Sequence, residues 1–307
     1  MALTRSQVAE LYTPIYDEFL LEDFAQDSLV HPMLFQEISD STKTYKYDGL
    51  SGLGEWEDAD ESSGGGYEDP VLSYPKTFTQ TKKWKKFQVS FESVDQDEYA
   101  LLKKQDDARQ LGRGGRVKAE KDTSAVLNNG FDTAGPDGQN LWSNSHPKNP
   151  QETGVTYDNL LSGPFSHDNL EAAEKQISDN YKDSKGLPIE CAYNPCLVYG
   201  PSLRGQAARV LEQRANLRPG TDHNDINRFA GRYTPVEWRY LSADLGGSDT
   251  AWFIIFKEVN FLKIIWSQRP HFTSWIDEDN EQYKFKGRML YATGVCSWRA
   301  GFASTGL

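Results

Sequence analysis

The sequence predicts an α+β fold, and three observations carry that reading. Residues 95–130 form one long run of helix-compatible residues ending at Asn129 and Gly130, a helix stop. The stretch TFTQTKKWKKFQVSF alternates apolar and polar residues from Phe87 to Phe91, the period of a half-buried strand. The last third reads mostly as strands: PVEWRYLS, AWFIIFK, VNFLKIIWS and a pair within YKFKGRMLYATGVCSWRAGF. At 307 residues the chain can bury a core in one large or two ordinary domains.

Each element has a local cause. Thr4 and Gln7 stand at capping-box spacing, and Val8, Leu11, Tyr12, Ile15, Phe19 and Leu20 recur at helical intervals, with Pro14 breaking the pattern. An arm of short helical pieces is expected there, with an apolar stripe that must cover a surface. LFQEISDSTKTYKYDG then turns extended as far as Asp48 and Gly49. From there to about Pro75 the chain makes a long excursion rich in Gly, Ser, Asp and Glu, and its two limbs should pair as a ribbon. A ribbon is marginal alone in water, so it should lie against something.

Within the excursion, residues 55–69 hold seven carboxylates, no basic residue and three consecutive glycines. Soon after comes KKWKK, residues 82–86. A Gly-rich tip is a poor mount for a fixed intramolecular pairing, so the partner charges are expected on another copy of the chain.

Asp95 and Glu98 give a helix start. Gly112, Gly114 and Gly115 each disfavour a helix interior by about 1 kcal/mol relative to Ala. Either the helix breaks there or neighbours approach its backbone closely, and the three glycines form a candidate hinge. GRGG is not a nucleotide loop, because no apolar strand precedes it and no Lys-Ser pair follows. Pro136-Asp137-Gly138 is a turn. Asp168 and Glu171 start another helix, with Leu170, Ala173, Ile177 and Tyr181 on one face. CLVYG reads as a buried strand, and PSLRGQAARVLEQR as a helix entered through Pro201. No solenoid repeat is visible.

Composition excludes several classes. A net charge of −12 argues against a protein built to grip nucleic-acid phosphates. A mean hydropathy of −0.67 alongside eight Trp, fifteen Tyr and fifteen Phe suits extensive intersubunit surface. No signal peptide or membrane-length apolar run is present, which points to folding in a cytosol. Cys191, Cys196 and Cys296 are an odd set in no metal or redox spacing, and read as buried thiols.

The five histidines form no HExxH or Cys/His pattern, no GxSxG elbow exists, and no DxDxDG loop would hold calcium. No catalytic, cofactor or metal residue is therefore assigned. Lys82, Lys83, Lys85 and Lys86 around Trp84 could track nucleic acid. Two other readings stand beside that one: a solvated strand edge that resists pairing, and an intersubunit contact with an acidic neighbour.

The order of parts resembles the tailed-bacteriophage major capsid protein, whose fold herpesvirus capsid floors share. The residues that carry the resemblance, closest to the Mu-like major head subunit branch, are FDTAGPDGQNLWSNSHP (131–147), NLEAAEKQISDNYKDSKGLPIECAYNPCLVYGPSLRGQAARVLE, and the tail AWFIIF, QRPHFTSW and YKFKGRMLYATGVCSWRAGF. Trp142 departs from the Phe usual in that branch, and the acidic tip is unusual for it.

The resemblance implies an N-terminal arm over 1–42, an E-loop β-hairpin over 43–93, a P-domain with spine helix over 94–195, an A-domain over 196–267, and C-terminal strands over 268–307. It implies a major capsid protein, not an enzyme, that assembles as pentamers and hexamers into an icosahedral head enclosing double-stranded DNA without sequence-specific binding. Its place would be the virion head, assembled in host cytoplasm, with portal, scaffold and decoration proteins as partners and neither membrane nor cofactor. The arm begins near Met1, so any scaffold or protease is expected as a separate protein. Candidate intersubunit contacts are Glu55, Glu57, Asp58, Asp60 and Glu61 against Lys82, Lys83, Trp84, Lys85 and Lys86. Two alternatives stay open: an encapsulin-like compartment of the same fold, and a carbohydrate-active enzyme using the acidic loop with Trp56 and Tyr67 as sugar platforms.

Overall fold

The computed structural model describes residues 29–49, 53–56, 58, 66–71, 73–96, 105–190, 195–212 and 227–307, with residues 14, 17–19, 21, 22 and 24. The expected arm over 4–20 and the helix start at Glu98 fall largely outside them.

Two four-residue apolar runs, CLVY in β8 (Cys196–Tyr199) and WFII in β10 (Trp252–Ile255), pair antiparallel at the centre of a five-stranded sheet. Its order is β7 (Leu160–Leu161), β13 (Gly301–Ser304), β10, β8, β9 (Thr234–Glu237), with parallel pairs at both edges. Continuous apolar strands are what a sheet covered on both faces requires. Val198, Phe253 and Ala303 face one core with Ala119 and Leu127 of the long helix α3 (Gln105–Asn128). Leu197, Trp252, Ile254 and Phe302 face the other, with Leu170, Ala173 and Tyr181 of the α4 segment (His167–Asn180 and its C-cap). Ser166 caps α4 by accepting from Asn169 N, one turn before the expected face begins.

The second sheet has the order β1 (Gln36–Ser39), β11 (Leu262–Asp277), β12 (Gln282–Val295), β4 (Thr81–Ser90). β11, of 16 residues, spans roughly 50 Å and continues through 267 and 268, where the sequence reading sets a boundary and where its pairing with β12 shifts register. On β12, Tyr283, Phe285, Met289 and Tyr291 are buried at every second or fourth position, toward α3.

The expected long ribbon forms only as a short one, β2 (Thr44–Tyr47) against β3 (Lys76–Thr79) with Tyr45 opposite Phe78, because the rest of the returning limb, β4, pairs with β12 instead. It also finds its support. Phe78 is buried against Ile265, Ala292 and Cys296. Gly294 makes that seat possible, since a Cβ there would stand 2.8 Å from the Phe78 ring.

α3 passes through Gly112, Gly114 and Gly115 unbroken. The expected break is absent, and the alternative of closely approaching neighbours is not met at Gly114 or Gly115. A Cβ on Gly115 would meet Phe24 at 3.5 Å, an ordinary contact, whereas Gly114 faces open space. The expected strand PVEWRYLS is shorter than predicted: it ends at Glu237 and turns as a 3-10 helix at Arg239–Leu241. The reason is the C-terminal half of α3, where Trp238 Nε1 donates to Glu120 at 2.6 Å and Asn128 Nδ2 donates to the Tyr240 carbonyl at 3.0 Å. PSLRGQAARVLE is helical as expected, with Pro201 opening a 3-10 turn that runs into α5 (Arg204–Ala207) and a π turn to Glu212. Pro136-Asp137-Gly138 turns with Gly138 at φ +81°.

Candidate functional site

β4 is the edge of its sheet, so KKWKK lies on a strand with one unpaired side, where lysines discourage stray pairing. Alternation divides the run between two faces. Lys83 and Lys85 share the face of Phe87 and the buried Val89, toward α3. Lys83 is committed there: its Nζ lies 3.7 Å from Asp122, and 5.6 Å from the Tyr291 ring, whose hydroxyl also donates to Asp122.

Lys82, Trp84 and Lys86 stand on the opposite face. Register places Trp84 beside Arg288 and Lys86 beside Lys286, with Trp275 of β11 opposite Lys284. Lys86 Nζ is 4.5 Å from the Trp84 ring and 5.2 Å from that of Trp275, and Lys286 Nζ is 5.5 Å from Trp275. Such cation–π contacts hold the ammonium groups in place, each contributing about 0.5–1 kcal/mol at exposed sites. Lys284 pairs instead with Asp277, whose carboxyl is lowered to about 2 by Lys284 and then by the Asn280 amide. Sequence reasoning missed Lys284, Lys286 and Arg288. Their i, i+2, i+4 spacing in YKFKGR was the signal, one cation per outward position of a strand.

KKWKK and the glycines of α3 come together. Lys82, Lys83, Trp84 and Lys85 line one groove of about 410 Å³ with Gly112, Gly114 and Gly115. Phe24, Met289 and Pro270 give it an apolar floor. A cationic rim over an apolar floor can hold an acidic segment, and it holds no paired carboxylates for acid–base work.

Of the acidic tip, Glu55 and Asp58 are exposed, while Glu57, Asp60 and Glu61 lie outside the described residues. Trp56 and Tyr67 project fully into solvent. One carboxylate departs from the expectation of partners on another copy. Glu68 pairs with Lys185 of its own chain and accepts from Gly54 N at 2.8 Å, contacts that lower its pKa. Lys185 sits in a turn at Asp183–Leu187, so the loop root is pinned even though the tip is Gly-rich.

A buried polar cluster joins α1 (His31–Leu34) to α3 and the five-stranded sheet. Glu120 Oε1 accepts from Val30 N at 2.9 Å, His31 N at 3.2 Å and His31 Nδ1 at 2.8 Å, and Oε2 accepts from Trp238. Glu37 lies 3.4 Å from His31 Nε2 and accepts from Arg269 at 2.7 Å. Burial alone would lower the His31 pKa, but hydrogen bonds with Glu120 and Glu37 outweigh it and raise the net value. Glu37 is lowered to about 2, chiefly by His31.

Among the described residues His167, Asp168 and Glu171 bring ligand atoms within 4.8 Å of one another. Glu171 is already 3.2 Å from Arg228, and the His167 ring packs on Phe229. Cys196 and Cys296 are buried thiols as expected, while Cys191 lies outside the described residues. No described helix is long and apolar enough to cross a membrane.

The sequence pattern of the phage capsid protein family matches residues 74–304. No curated protein sequence matches the chain. Among solved structures, the chain resembles the capsid of cyanophage P-SCSP1u at TM-score 0.58 and 11% identity, over 88% of this chain and 86% of that one. The procapsid of bacteriophage JBD30 gives 0.52 and 14%, over 99% and 76%. A virus-like particle from Pyrococcus furiosus gives 0.51 and 12%, over 95% and 99%.

Proposed function

This chain belongs to the phage capsid protein family, and from that premise we propose that its copies close as pentamers and hexamers into an icosahedral head around double-stranded DNA. Its role is that of a major capsid structural subunit in a multi-subunit shell, and its place is the virion capsid. The observation that carries this is the family match over residues 74–304, which takes in the returning ribbon limb, α3, the whole five-stranded sheet and every strand of the four-stranded sheet but β1.

Finer features of the reading are ours. Closed point-group symmetry makes one set of contacts repeat until the shell has no edge. The division into arm (1–42), E-loop (43–93), P-domain (94–195), A-domain (196–267) and C-terminal strands (268–307), and a place in the Mu-like branch, rest on the order of parts and the motifs quoted above. Portal, scaffold and decoration proteins are the separate partners such a shell employs, with assembly in host cytoplasm. An acidic surface overall, at −12 per chain, lets packed DNA move without sticking. The acidic tip (Glu55, Glu57, Asp58, Asp60, Glu61) and the lysine strand set register between neighbours by charge.

Gly112, Gly114 and Gly115 act as a hinge of α3 during shell expansion. Glycine-to-alanine changes at all three that left both assembly and expansion intact would remove that role.

The virus-like particle likeness favours keeping a second reading, a cargo compartment of the same fold. Electron microscopy of purified particles with and without nuclease, alongside sedimentation across salt, tests both. Closed shells or rings carrying protected duplex DNA support the head. Shells that carry protein cargo and no nucleic acid support the compartment, and a stable monomer coexpressed with its neighbouring virion proteins overturns both.

A further inference from the structure

We propose that the face of the four-stranded sheet opposite α3 seats the acidic segment 55–69 of a second copy, with Lys82, Lys86, Lys286 and Arg288 as the receiving cations. This rests on the capsid reading and narrows its charge contact. KKWKK does not act as one block: the pleat sends Lys83 to Asp122 and Lys85 to the α3 side, and joins Lys82 and Lys86 to β12.

The four cations share a further property. None has an ion-pair partner among the described residues, and Arg288 Nε is shielded from water with no hydrogen-bond partner. A shielded guanidinium nitrogen left unpaired loses its hydration without replacement, so no internal partner holds the Arg288 side chain through that atom. Trp84 and Trp275 lie between the cations, hold Lys86 and Lys286 over their rings, and offer flat apolar surface.

The complementary charges lie on the same sequence but do not meet among the described residues. Glu55 and Asp58 make no ion pair among the described residues, and the loop root is fixed elsewhere by Glu68 on Lys185. Trp56 and Tyr67, wholly exposed, are aromatic anchors without a seat. One tip per strip matches charge at every copy of an assembly. Duplex DNA is the less suitable occupant, because the strip is a minority within a surface of net charge −12 that repels phosphate as a whole.

The test uses the full chain with its own tip neutralised (E55Q/E57Q/D58N/D60N/E61Q) and a fluorescent peptide of residues 53–70, titrated by anisotropy across salt. Binding that salt weakens, that K82E/K86E/K286E reduces about tenfold or more, and that K85E leaves unchanged supports the proposal. Neutral K82Q/K86Q/K286Q, checked by thermal melting, should give the same loss if the reversed variant fails to fold. Equal binding to wild-type and strip-altered chains, or an equal loss from K85E, overturns it. Tighter binding of a duplex oligonucleotide that displaces the peptide from the strip also overturns it. If the unaltered chain forms shells while the peptide ignores the strip, this seat falls and the capsid reading stands.

Discussion

Glu120→Ala should be the most damaging single substitution on α3. Its carboxylate, 3% exposed, is the shared acceptor for two backbone N–H groups, the His31 imidazole and the Trp238 indole. Removing it strands a buried indole N–H and at least one backbone N–H at about 1–3 kcal/mol each. It also strands an imidazolium, where breaking a buried pair costs about 3–5 kcal/mol. His31 can shed its proton and Val30 can reach water, so the expected net loss is about 4 kcal/mol, a large share of the roughly 5–15 kcal/mol that holds a domain. Glu120→Gln keeps the volume but not the charge and should lose about half as much.

The pH dependence gives an independent reading of the same cluster. His31 is raised above 6.5, so its stabilisation is complete below that pH and is lost as pH rises through the folded value. Glu37 is depressed from 4.5 to about 2, so its contribution, on the order of 3 kcal/mol, is present above 4.5 and is lost as pH falls toward 2. The cluster is fully engaged between about 4.5 and 6.5. Denaturant unfolding of dissociated subunits, for wild type and both variants at several pH values, measures both effects. A loss below about 1 kcal/mol for Glu120→Ala, or an unchanged decline of stability above pH 6.5 in that variant, would refute the reasoning.

Phe78→Ala should cost about 3–5 kcal/mol and release the ribbon from the sheet, seen as faster proteolysis near Lys76; Gly294→Ala should produce a milder form of the same defect by pushing its Cβ against Phe78 at 2.8 Å. Trp142→Phe deletes the indole donor to the Leu127 carbonyl at 3.0 Å and leaves a void, for a loss of about 1–3 kcal/mol by thermal melting. Gly130→Ala should be worse, since its Cβ would lie 2.5 Å from that indole nitrogen. Burial pushes the Cys296 thiol up to about 12, so an alkylating reagent at mildly alkaline pH should label it only at the rate of unfolding, and immediate labelling would contradict its packing.

Much of the fold was legible because its signals are local. CLVY and WFII are apolar without interruption, which only a doubly covered strand tolerates, and β4 shows its pleat in Phe87 and Val89. The early end of β9 was not legible, because it follows from Trp238 reaching across to Glu120, 118 positions earlier in the chain. At the candidate site, KKWKK was found as a charge run. Its division into two functions depends on which strand pairs with it, and pairing with YKFKGR some two hundred residues later is a nonlocal fact. Lys185 was invisible as a partner of Glu68 for the same reason: 117 positions separate them.

The two sheets differ in a way that bears on where a shell can change shape. In the five-stranded sheet every residue of β8, β10 and β13 is buried, so sliding any strand would carry large apolar groups into new surroundings on both faces at once. Cores packed that densely switch between states or hold, and do not deform gradually. The long hairpin of β11 and β12 is buried mainly toward α3, and its opposite face carries Trp275, Lys286 and Arg288 half-exposed. Bending at that end changes hydration of flexible cations, while the other end of the hairpin is held by Phe78 packed on Ile265 and Ala292. Gly114 and Gly115 lie over this pliable sheet, at the groove beside β4, and not over the rigid one. The candidate hinge and the candidate charge contact thus lie on opposite faces of one sheet, joined through β4 and β12, so a neighbour's tip seated on Lys82 and Arg288 would brace the sheet against which this segment of α3 packs. Tip-neutralised shells should therefore expand under milder conditions than wild-type shells, and expansion at the same denaturant threshold in both would break that link.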